Sequence, residues 1–238
     1  NIKNMRIKVL LSQTNSELPI NNQDIVNSFT HRVLGKNNKY HDTKNDYSVS
    51  QLQGGKWIEG TKNITFKNSG YIVISSLNQI FLNDILISLY TTPFYGDIKV
   101  NGIEFMDEKF VDGWNHFKTL SPFLIKEYMD KKTYKFLTLN DPSFQLKVKE
   151  YLIKKLSTID STLKLDDFDI LIPKHDNHKV KTIMVKNVVN RANQCQISIF
   201  TNKKVAEFIA KKAKGKQKLT FVYRSHDQPN EQNLLGFA

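Results

Sequence analysis

The stretch MRIKVLLSQTNSELPINNQDIVNSFTHRVLG, residues 5–35, decides the fold, because its periodicity changes from that of a strand to that of a helix. Apolar and polar residues alternate over 5–13, which predicts a β-strand. Over 21–35 the apolar residues recur at helical spacing, and Gly35 is a natural helix stop. A strand that leads into an amphipathic helix begins a β-α unit. The apolar face of the predicted helix carries Ile25, Val26, Phe29 and Val33.

The residues that follow complete one such unit. Segments 47–66 and 69–77 have strand character, with Gly and Asn at the breaks. A second amphipathic helix is predicted over 77–93, closed by Pro93, and 96–110 returns to strand character. The order is β-α-β-β-α-β, which is the ferredoxin-like order.

The second half repeats this plan less clearly. Together the two halves predict an α+β protein with tandem ferredoxin-like (RRM-like) βαββαβ domains. The predicted domains span 1–112 and 113–238 and are joined near VDGWNH. The predicted elements are strands at 115–128 and 132–139, a helix at 141–156 with Asp141 as its cap and Pro142 in its first turn, a long hairpin at 179–201, a basic helix at 202–215 and a last strand at 218–225.

The charge balance points to a polyanionic partner. The chain has 238 residues, with 35 Lys and Arg against 23 Asp and Glu, a net charge of +12 and a pI near 9.5. Nucleic acid is the commonest partner for such an excess, and a merely soluble basic protein is the alternative.

The single cysteine, Cys195, excludes an internal disulfide and a cysteine-based zinc site, and its strand-like context favours a small apolar filler. We expect a reducing, cytoplasmic location and no membrane span.

Motifs of the common metal and nucleotide enzymes are absent. The sequence has no Walker A loop, no HExxH, no GxSxG and no RNP-type aromatic signature of a stacking RRM. The acidic cluster DDFD (166–169) is better interpreted as a solvated loop than as a metal site. His175 and His178 have a suitable spacing but no third ligand, so no metal and no cofactor are expected.

An ordered set of short motifs carries a family resemblance. Leu18–Pro19 precedes the first helix, His41 follows it, Tyr47–Ser50 gives an F-T-x-S-like strand, and Thr119–Pro122 gives a T-L-S-P-like segment. In order and spacing over nearly the whole chain, the sequence resembles the CRISPR-associated endoribonucleases that cut precursor CRISPR RNA within its repeats. These belong to the repeat-associated mysterious protein (RAMP) superfamily.

The resemblance implies metal-independent cleavage. In this family the RNA 2′-hydroxyl attacks the adjacent phosphate and leaves 2′,3′-cyclic phosphate and 5′-hydroxyl ends. His41 matches the family's histidine in the loop after the first helix, and His31 falls near the place of a tyrosine that many members carry within that helix. Lys44 is the nearest match to a lysine that often precedes the F-T-x-S-like strand. The catalytic helix and loop would thus lie in the first domain.

Two imidazoles suit this reaction, because a base is needed for the 2′-hydroxyl and an acid for the 5′-oxygen. A helical wheel places His31 opposite the Phe29/Val33 face, and His41 lies in a polar segment. Lys44 and Lys36 could stabilise charge on the phosphorane. The plain alternative is that both histidines and both lysines are ordinary exposed side chains.

Basic residues outside this region are candidates for phosphate contact. Where family members carry a C-terminal glycine-rich loop, this chain has a basic cluster and only Gly236–Phe237 resembles that loop. A solvated basic face is the alternative. The candidate RNA-binding residues are Lys36, Arg191, Lys211, Lys212, Lys214, Lys216, Lys218 and Arg224.

Three functions remain open at this point. The leading hypothesis is a repeat-specific endoribonuclease whose partner is CRISPR repeat RNA. The runner-up is a catalytically weak subunit that holds CRISPR RNA with other CRISPR-associated proteins in an effector complex. The third is a basic ferredoxin-like scaffold without an RNA partner. We expect a monomer or homodimer with no membrane partner.

Overall fold

A computed structural model describes most of the chain up to Thr201. The described residues are 6–12, 14–35, 38–40, 47–66, 70–76, 78–106, 113–130, 133–157, 161–162, 164, 168–173, 178–185 and 188–201.

Seventeen elements alternate along these residues, fourteen strands and three helices. Those of the first half are β1 (Arg6–Leu11), β2 (Thr14–Pro19), α1 (Gln23–Leu34), β3 (Tyr47–Val49), β4 (Lys56–Trp57), β5 (Asn63–Phe66), β6 (Tyr71–Ser76), α2 (Gln79–Ser88) and β7 (Val100–Phe105). Those of the second half are β8 (Gly113–Lys118), β9 (Ile125–Tyr128), β10 (Tyr134–Leu137), α3 (Phe144–Leu156), β11 (Phe168–Leu171), β12 (Lys179–Val185), β13 (Val188–Gln194) and β14 (Gln196–Thr201).

The main sheet of the first half is ferredoxin-like. It has four strands in the order β3-β6-β1-β7, and each neighbouring pair is antiparallel. In the chain order β1, α1, β3, β6, α2, β7 this is the split βαβ arrangement predicted from the sequence. Ile7, Val9 and Leu11 of β1 are fully buried and share one core with Phe29 of α1 and Phe81 of α2.

The first helix forms as its periodicity predicts. Val26, Phe29, Thr30 and Val33 are buried on one face, and the Thr30 hydroxyl donates to the Val26 carbonyl oxygen. The helix ends at Gly35, whose φ of 85° favours glycine. Near this end the Arg32 guanidinium donates to the carbonyl oxygens of Pro93 (3.0 Å) and Phe94 (2.7 Å) and ties α1 to the segment after α2.

The second half contains a three-stranded sheet in the order β11-β14-β8, with antiparallel neighbours. Phe117, Ile170 and Ile199 of this sheet share a core with Phe144 and Val148 of α3. The second half also contains two separate two-stranded sheets, β9–β10 and β12–β13. The helix predicted over 202–215 and the strand predicted over 218–225 lie outside the described residues.

Several predicted elements need correction. The segment predicted as one strand over 115–128 forms β8 and β9, because the main chain of Thr119 and Phe123 pairs with Cys195 and Asn193 instead. The segment before α1, for which no element is predicted, forms β2, which pairs with β5 in a second sheet, β2-β5-β4.

Two smaller predictions also fail locally. Asp141 does not cap α3, since its Oδ2 accepts hydrogen bonds from the Thr138 main chain and hydroxyl in the preceding turn, and α3 starts after Ser143. Cys195 is buried as predicted, but it lies between β13 and β14 rather than within a strand.

Among the helices of the described residues, none combines the length and the apolar character that crossing a membrane requires.

Candidate functional site

The segments that carry the sequence motifs meet at one junction between the two halves of the chain. Gln51, directly after the Tyr47–Ser50 motif, donates its main-chain N–H to the Ser121 hydroxyl (2.6 Å). Gln53 donates its side-chain amide to the Leu120 carbonyl oxygen (2.9 Å). Hence the T-L-S-P-like segment lies against the segment that follows the F-T-x-S-like strand.

Asn22 joins the Leu-Pro motif to the same junction. This buried side chain accepts a hydrogen bond from the Leu52 main-chain N–H (3.1 Å) and donates to the carbonyl oxygens of Ile20 (3.2 Å) and Pro19 (3.4 Å). The position where α1 begins is therefore fixed relative to the 50–53 segment, because one amide satisfies main-chain groups of both.

The other side of the T-L-S-P-like segment is held by the end of β13. Thr119 exchanges main-chain and hydroxyl hydrogen bonds with Cys195 at 3.0–3.2 Å, and Phe123 and Asn193 pair through their main chains. The buried Asn193 side chain also accepts from the Leu139 N–H and donates to the Leu137 carbonyl oxygen. The motif thus acts as a structural bridge, with its polar groups satisfied on both sides.

Two tyrosines frame the loop that carries His41 and Lys44. Tyr40, directly before it, meets the Phe81 ring edge-on at 4.9 Å, and Tyr47, directly after it, stacks on the same ring at 4.2 Å. His41 and Lys44 themselves lie outside the described residues. The described residues on either side of that segment, Tyr40 and Tyr47, therefore pack on one residue of α2.

An ion pair reinforces the first of these anchors. The Tyr40 hydroxyl donates to Asp84 Oδ2 (2.7 Å), and the Lys39 ammonium lies 3.1 Å from the same oxygen. The hydrogen bond from Tyr40, and then that from Lys39, hold the pKa of Asp84 below its ordinary value. Asp84 therefore stays ionised and keeps the turn 39–40 on α2.

His31 is the one predicted catalytic residue that the structure describes. It lies in the last turn of α1, outside the helix's buried set, as the helical wheel predicts. The side chain is half-buried, and its Nδ1 is enclosed by protein atoms. Only the remainder of the side chain is open to a substrate.

The predicted RNA-binding residues are described only in part. Arg191 is exposed on β13 opposite Thr182. Hydrogen bonds from Thr138 lower the pKa of Asp141, and the charges of Lys135 and Arg191 contribute less. On the facing strand β12, burial and then the charge of Lys179 lower the pKa of Lys181. The other candidates, Lys36, Lys211, Lys212, Lys214, Lys216, Lys218 and Arg224, lie outside the described residues.

A metal centre is not visible among the residues described: no three or more His, Cys, Asp or Glu side chains are grouped so as to hold an ion. His116 is exposed on β8 with its Nδ1 2.8 Å from the Ser198 hydroxyl, and partial burial lowers its pKa. This contact supports the structural role that its position in a strand suggests.

No local sequence pattern marks the residues that build the junction. Asn22, Gln53 and Ser121 bond to partners 30–70 positions away, and such pairs have no local periodicity. The framing role of Tyr40 and Tyr47 was likewise missed, although two tyrosines flanking a polar loop could have suggested it.

Comparison with solved structures defines the class of this fold. The chain resembles a CRISPR-associated protein Cas6 (TM-score 0.69, 20% identity, covering 86% of this chain and 90% of that one). It resembles the product of a Cas6-related gene from Pyrococcus furiosus equally well (TM-score 0.69, 21% identity, 86% and 90%). A RAMP protein that binds different RNA substrates also matches (TM-score 0.64, 21% identity, 85% and 90%).

These matches confirm the predicted α+β, tandem ferredoxin-like fold. More particularly, the fold is similar to that of the solved CRISPR-associated Cas6 and RAMP proteins. No protein-family model and no curated protein sequence matches the chain.

Proposed function

We propose that this protein is a metal-independent endoribonuclease that cleaves precursor CRISPR RNA within its repeats to generate guide RNAs. The observation that carries the proposal is the double anchor of the 41–46 loop on Phe81. His41 directly follows Tyr40 in the sequence, next to the first of these contacts. A reacting group must be held in place to contribute to catalysis.

In this mechanism no metal is needed. One imidazole removes the proton of the 2′-hydroxyl, the 2′-oxygen attacks the adjacent phosphorus, and the bond to the 5′-oxygen breaks. The second imidazole gives its proton to that oxygen, so the products are a 2′,3′-cyclic phosphate and a 5′-hydroxyl. We assign these roles to His41 and His31 as a pair, and Lys44 stabilises the negative charge of the phosphorane.

Binding of the substrate is assigned to the basic residues. The net charge of +12 favours a polyanion, and contacts to phosphate supply most of the affinity for RNA. We propose that Arg191, Lys36 and the cluster over 211–218 with Arg224 contact the RNA backbone. We further propose domains at 1–112 and 113–238, with the catalytic loop in the first, and a cytoplasmic location in keeping with the single cysteine.

The test is cleavage of a repeat RNA from the array of the source genome under single-turnover conditions. His41→Ala should slow cleavage by about 100-fold or more while RNA affinity stays near wild type. His31→Ala should cost a comparable factor, and the double variant should lose less than the product of the two. His116→Ala is the matched control, since its imidazole bonds to Ser198 on another strand.

Chemistry is checked on the RNA. A 2′-deoxy nucleotide before the cut should stop the reaction, because it removes the nucleophile, and EDTA should not. Cleavage that survives the 2′-deoxy substitution and is lost in EDTA would indicate a hydrolytic metal nuclease and refute the mechanism.

A second function is a CRISPR RNA-binding subunit without strong catalysis. The junction is the observation that favours it, because the hydrogen bonds of Asn22, Gln53 and Ser121 that join the motif segments have a structural role. If the wild-type protein binds repeat RNA tightly and releases no 2′,3′-cyclic phosphate product, this second function is the correct one.

A further inference from the structure

The β9–β10 hairpin carries aromatic rings and a lysine on one face. Tyr134 pairs directly with Tyr128, and Phe136 pairs with Lys126, so that all four side chains project to the same side. The ring centroids of Tyr128 and Tyr134 are 5.9 Å apart, and those of Tyr134 and Phe136 are 5.3 Å apart. The rings therefore form a continuous row, the aromatic row.

This face points away from the protein core. Ile125 and Leu137, on the opposite face of the hairpin, are buried in the core of the second half. Tyr128 is 64% exposed and Tyr134 is 42% exposed. The hydroxyl of Tyr151 on α3 donates to the Lys126 carbonyl oxygen (3.2 Å), so the hairpin is fastened to the helix behind it.

A lysine ammonium lies over the aromatic row. The Lys126 ammonium lies 4.0 Å from the centre of the Tyr134 ring and 5.2 Å from that of Phe136. At the end of the hairpin, the Asp130 carboxylate accepts hydrogen bonds from the Thr133 main-chain N–H and hydroxyl. Exposed aromatic rings next to a lysine suit a ligand with flat rings and negative charges.

We infer that the aromatic row is a stacking platform for single-stranded RNA, with bases on Tyr128 and Tyr134 and a phosphate near Lys126. The inference rests on the proposed function in taking RNA as the ligand, and it adds a binding site that the histidine chemistry does not require. Stacking on aromatic side chains is tolerant of sequence, and it works together with a basic path along the backbone. The net charge of +12 favours such an anionic occupant over an apolar or a positively charged partner.

The cross-strand rings could instead serve only to stabilise the hairpin, since such pairs contribute to sheet stability. That role predicts a lower melting temperature for ring substitutions and unchanged RNA affinity. Stacking predicts a change in affinity in variants that remain folded. Affinity and melting temperature are therefore measured on the same samples.

The probe is a labelled 15-nucleotide oligouridylate, measured by fluorescence anisotropy over a range of salt concentrations. Tyr134→Leu and Tyr128→Leu, which keep apolar bulk, should each weaken binding by about fivefold or more, and Tyr134→Phe should bind like wild type. Lys126→Gln should lower the magnitude of the log–log salt slope by about 0.7. The controls, the exposed Tyr90→Leu and Lys62→Gln, should leave affinity and slope near wild type.

A measurement on the unaltered protein guards against variants that fail to fold. Oligouridylate carrying 5-iodouridine should crosslink on irradiation to the peptides that contain Tyr128 or Tyr134. Wild-type affinity in both leucine variants, or crosslinks confined to other peptides, would overturn the inference and leave the hairpin face to a protein partner or to stability alone. The repeat-cleavage assay separates the two proposals: cleavage without a platform effect refutes only the platform, and oligouridylate binding through the platform without cleavage refutes only the enzyme.

Discussion

Replacing Tyr40 with phenylalanine tests whether the anchor beside His41 matters to the reaction. The change removes a hydroxyl that donates to Asp84 Oδ2 at 2.7 Å. The ring, which meets Phe81 at 4.9 Å, is kept. The perturbation is thus confined to one hydrogen bond at the start of the 41–46 loop.

The structure sets the size of the expected effect. A hydrogen bond to a charged group contributes about 1.5–3 kcal/mol to stability. The bond from Tyr40 to Asp84 should contribute less than this range. The Asp84 side chain is 37% exposed and keeps the Lys39 ammonium at 3.1 Å, so its carboxylate stays solvated and paired after the change. We expect a loss of about 1 kcal/mol in the free energy of unfolding, or about 2–4 °C in melting temperature for a chain of this size. If the whole of this free energy is added to the activation barrier of the reaction, single-turnover cleavage slows by about fivefold.

The effect should depend on pH in a defined direction. Tyr40 and then Lys39 lower the pKa of Asp84 in the folded protein. A lowered folded pKa stabilises the fold above the unfolded value, near 4, and this stability is lost as pH falls through the lower folded pKa. The difference in melting temperature between wild type and Tyr40→Phe should therefore be full at pH 6–7 and shrink below about pH 4.

Differential scanning calorimetry from pH 3 to 7 and single-turnover cleavage at neutral pH provide the assay. Tyr90→Phe is the matched control, because it removes the same hydroxyl from an exposed ring and should change neither quantity. Equal melting curves for Tyr40→Phe and wild type at neutral pH would show that the hydrogen bond does not hold the turn. A stability loss of the expected size with an unchanged rate would show that the anchor is irrelevant to catalysis.

Three further outcomes are expected. Asn22→Ala leaves the buried Leu52 N–H without its acceptor and should cost about 2 kcal/mol, seen as a drop of roughly 4–8 °C in melting temperature, whereas the half-buried Gln23→Ala should cost under about 0.5 kcal/mol. Because burial raises the pKa of the Cys195 thiol to about 12, iodoacetamide at pH 8 should label it only in denaturant, and labelling of the native protein would contradict its burial. Neutralising the C-terminal lysines should lower the magnitude of the log–log salt slope for RNA binding by about 0.7 for each phosphate that the protein no longer contacts. An unchanged slope would show that the cluster is a solvated face. The lysines are Lys211, Lys212, Lys214, Lys216 and Lys218.

The sequence predicts best what short-range periodicity controls. Helix α1 is predicted over 21–35 and runs from Gln23 to Leu34, because its apolar residues recur every three or four positions and Gly35 ends it. The β-α-β-β-α-β order of the first half follows from the same patterns and is confirmed by the sheet order β3-β6-β1-β7.

Elements that depend on distant partners are predicted less well. Strand β2 has little alternation and forms because it pairs with β5, whose paired residues lie 44–52 positions later. The 119–124 segment is apolar enough for a strand, yet Thr119 bonds to Cys195 and Ser121 accepts from Gln51, so the segment does not pair along its length with any one described strand. Such choices are made by long-range hydrogen bonds, which no local pattern contains.

The same distinction separates the motifs that carry the fold from the residues proposed for the chemistry. At the junction, each hydrogen bond joins one side chain to one main-chain group: Asn22 to Pro19, Ser121 to Gln51, and Gln53 to Leu120. These contacts hold segments of the fold together. Resemblance at these segments therefore argues for the scaffold. The chemistry is proposed for the segment between Tyr40 and Tyr47. Removing the His41 imidazole should therefore slow cleavage by about 100-fold or more and leave the melting temperature and the RNA affinity near those of the wild type.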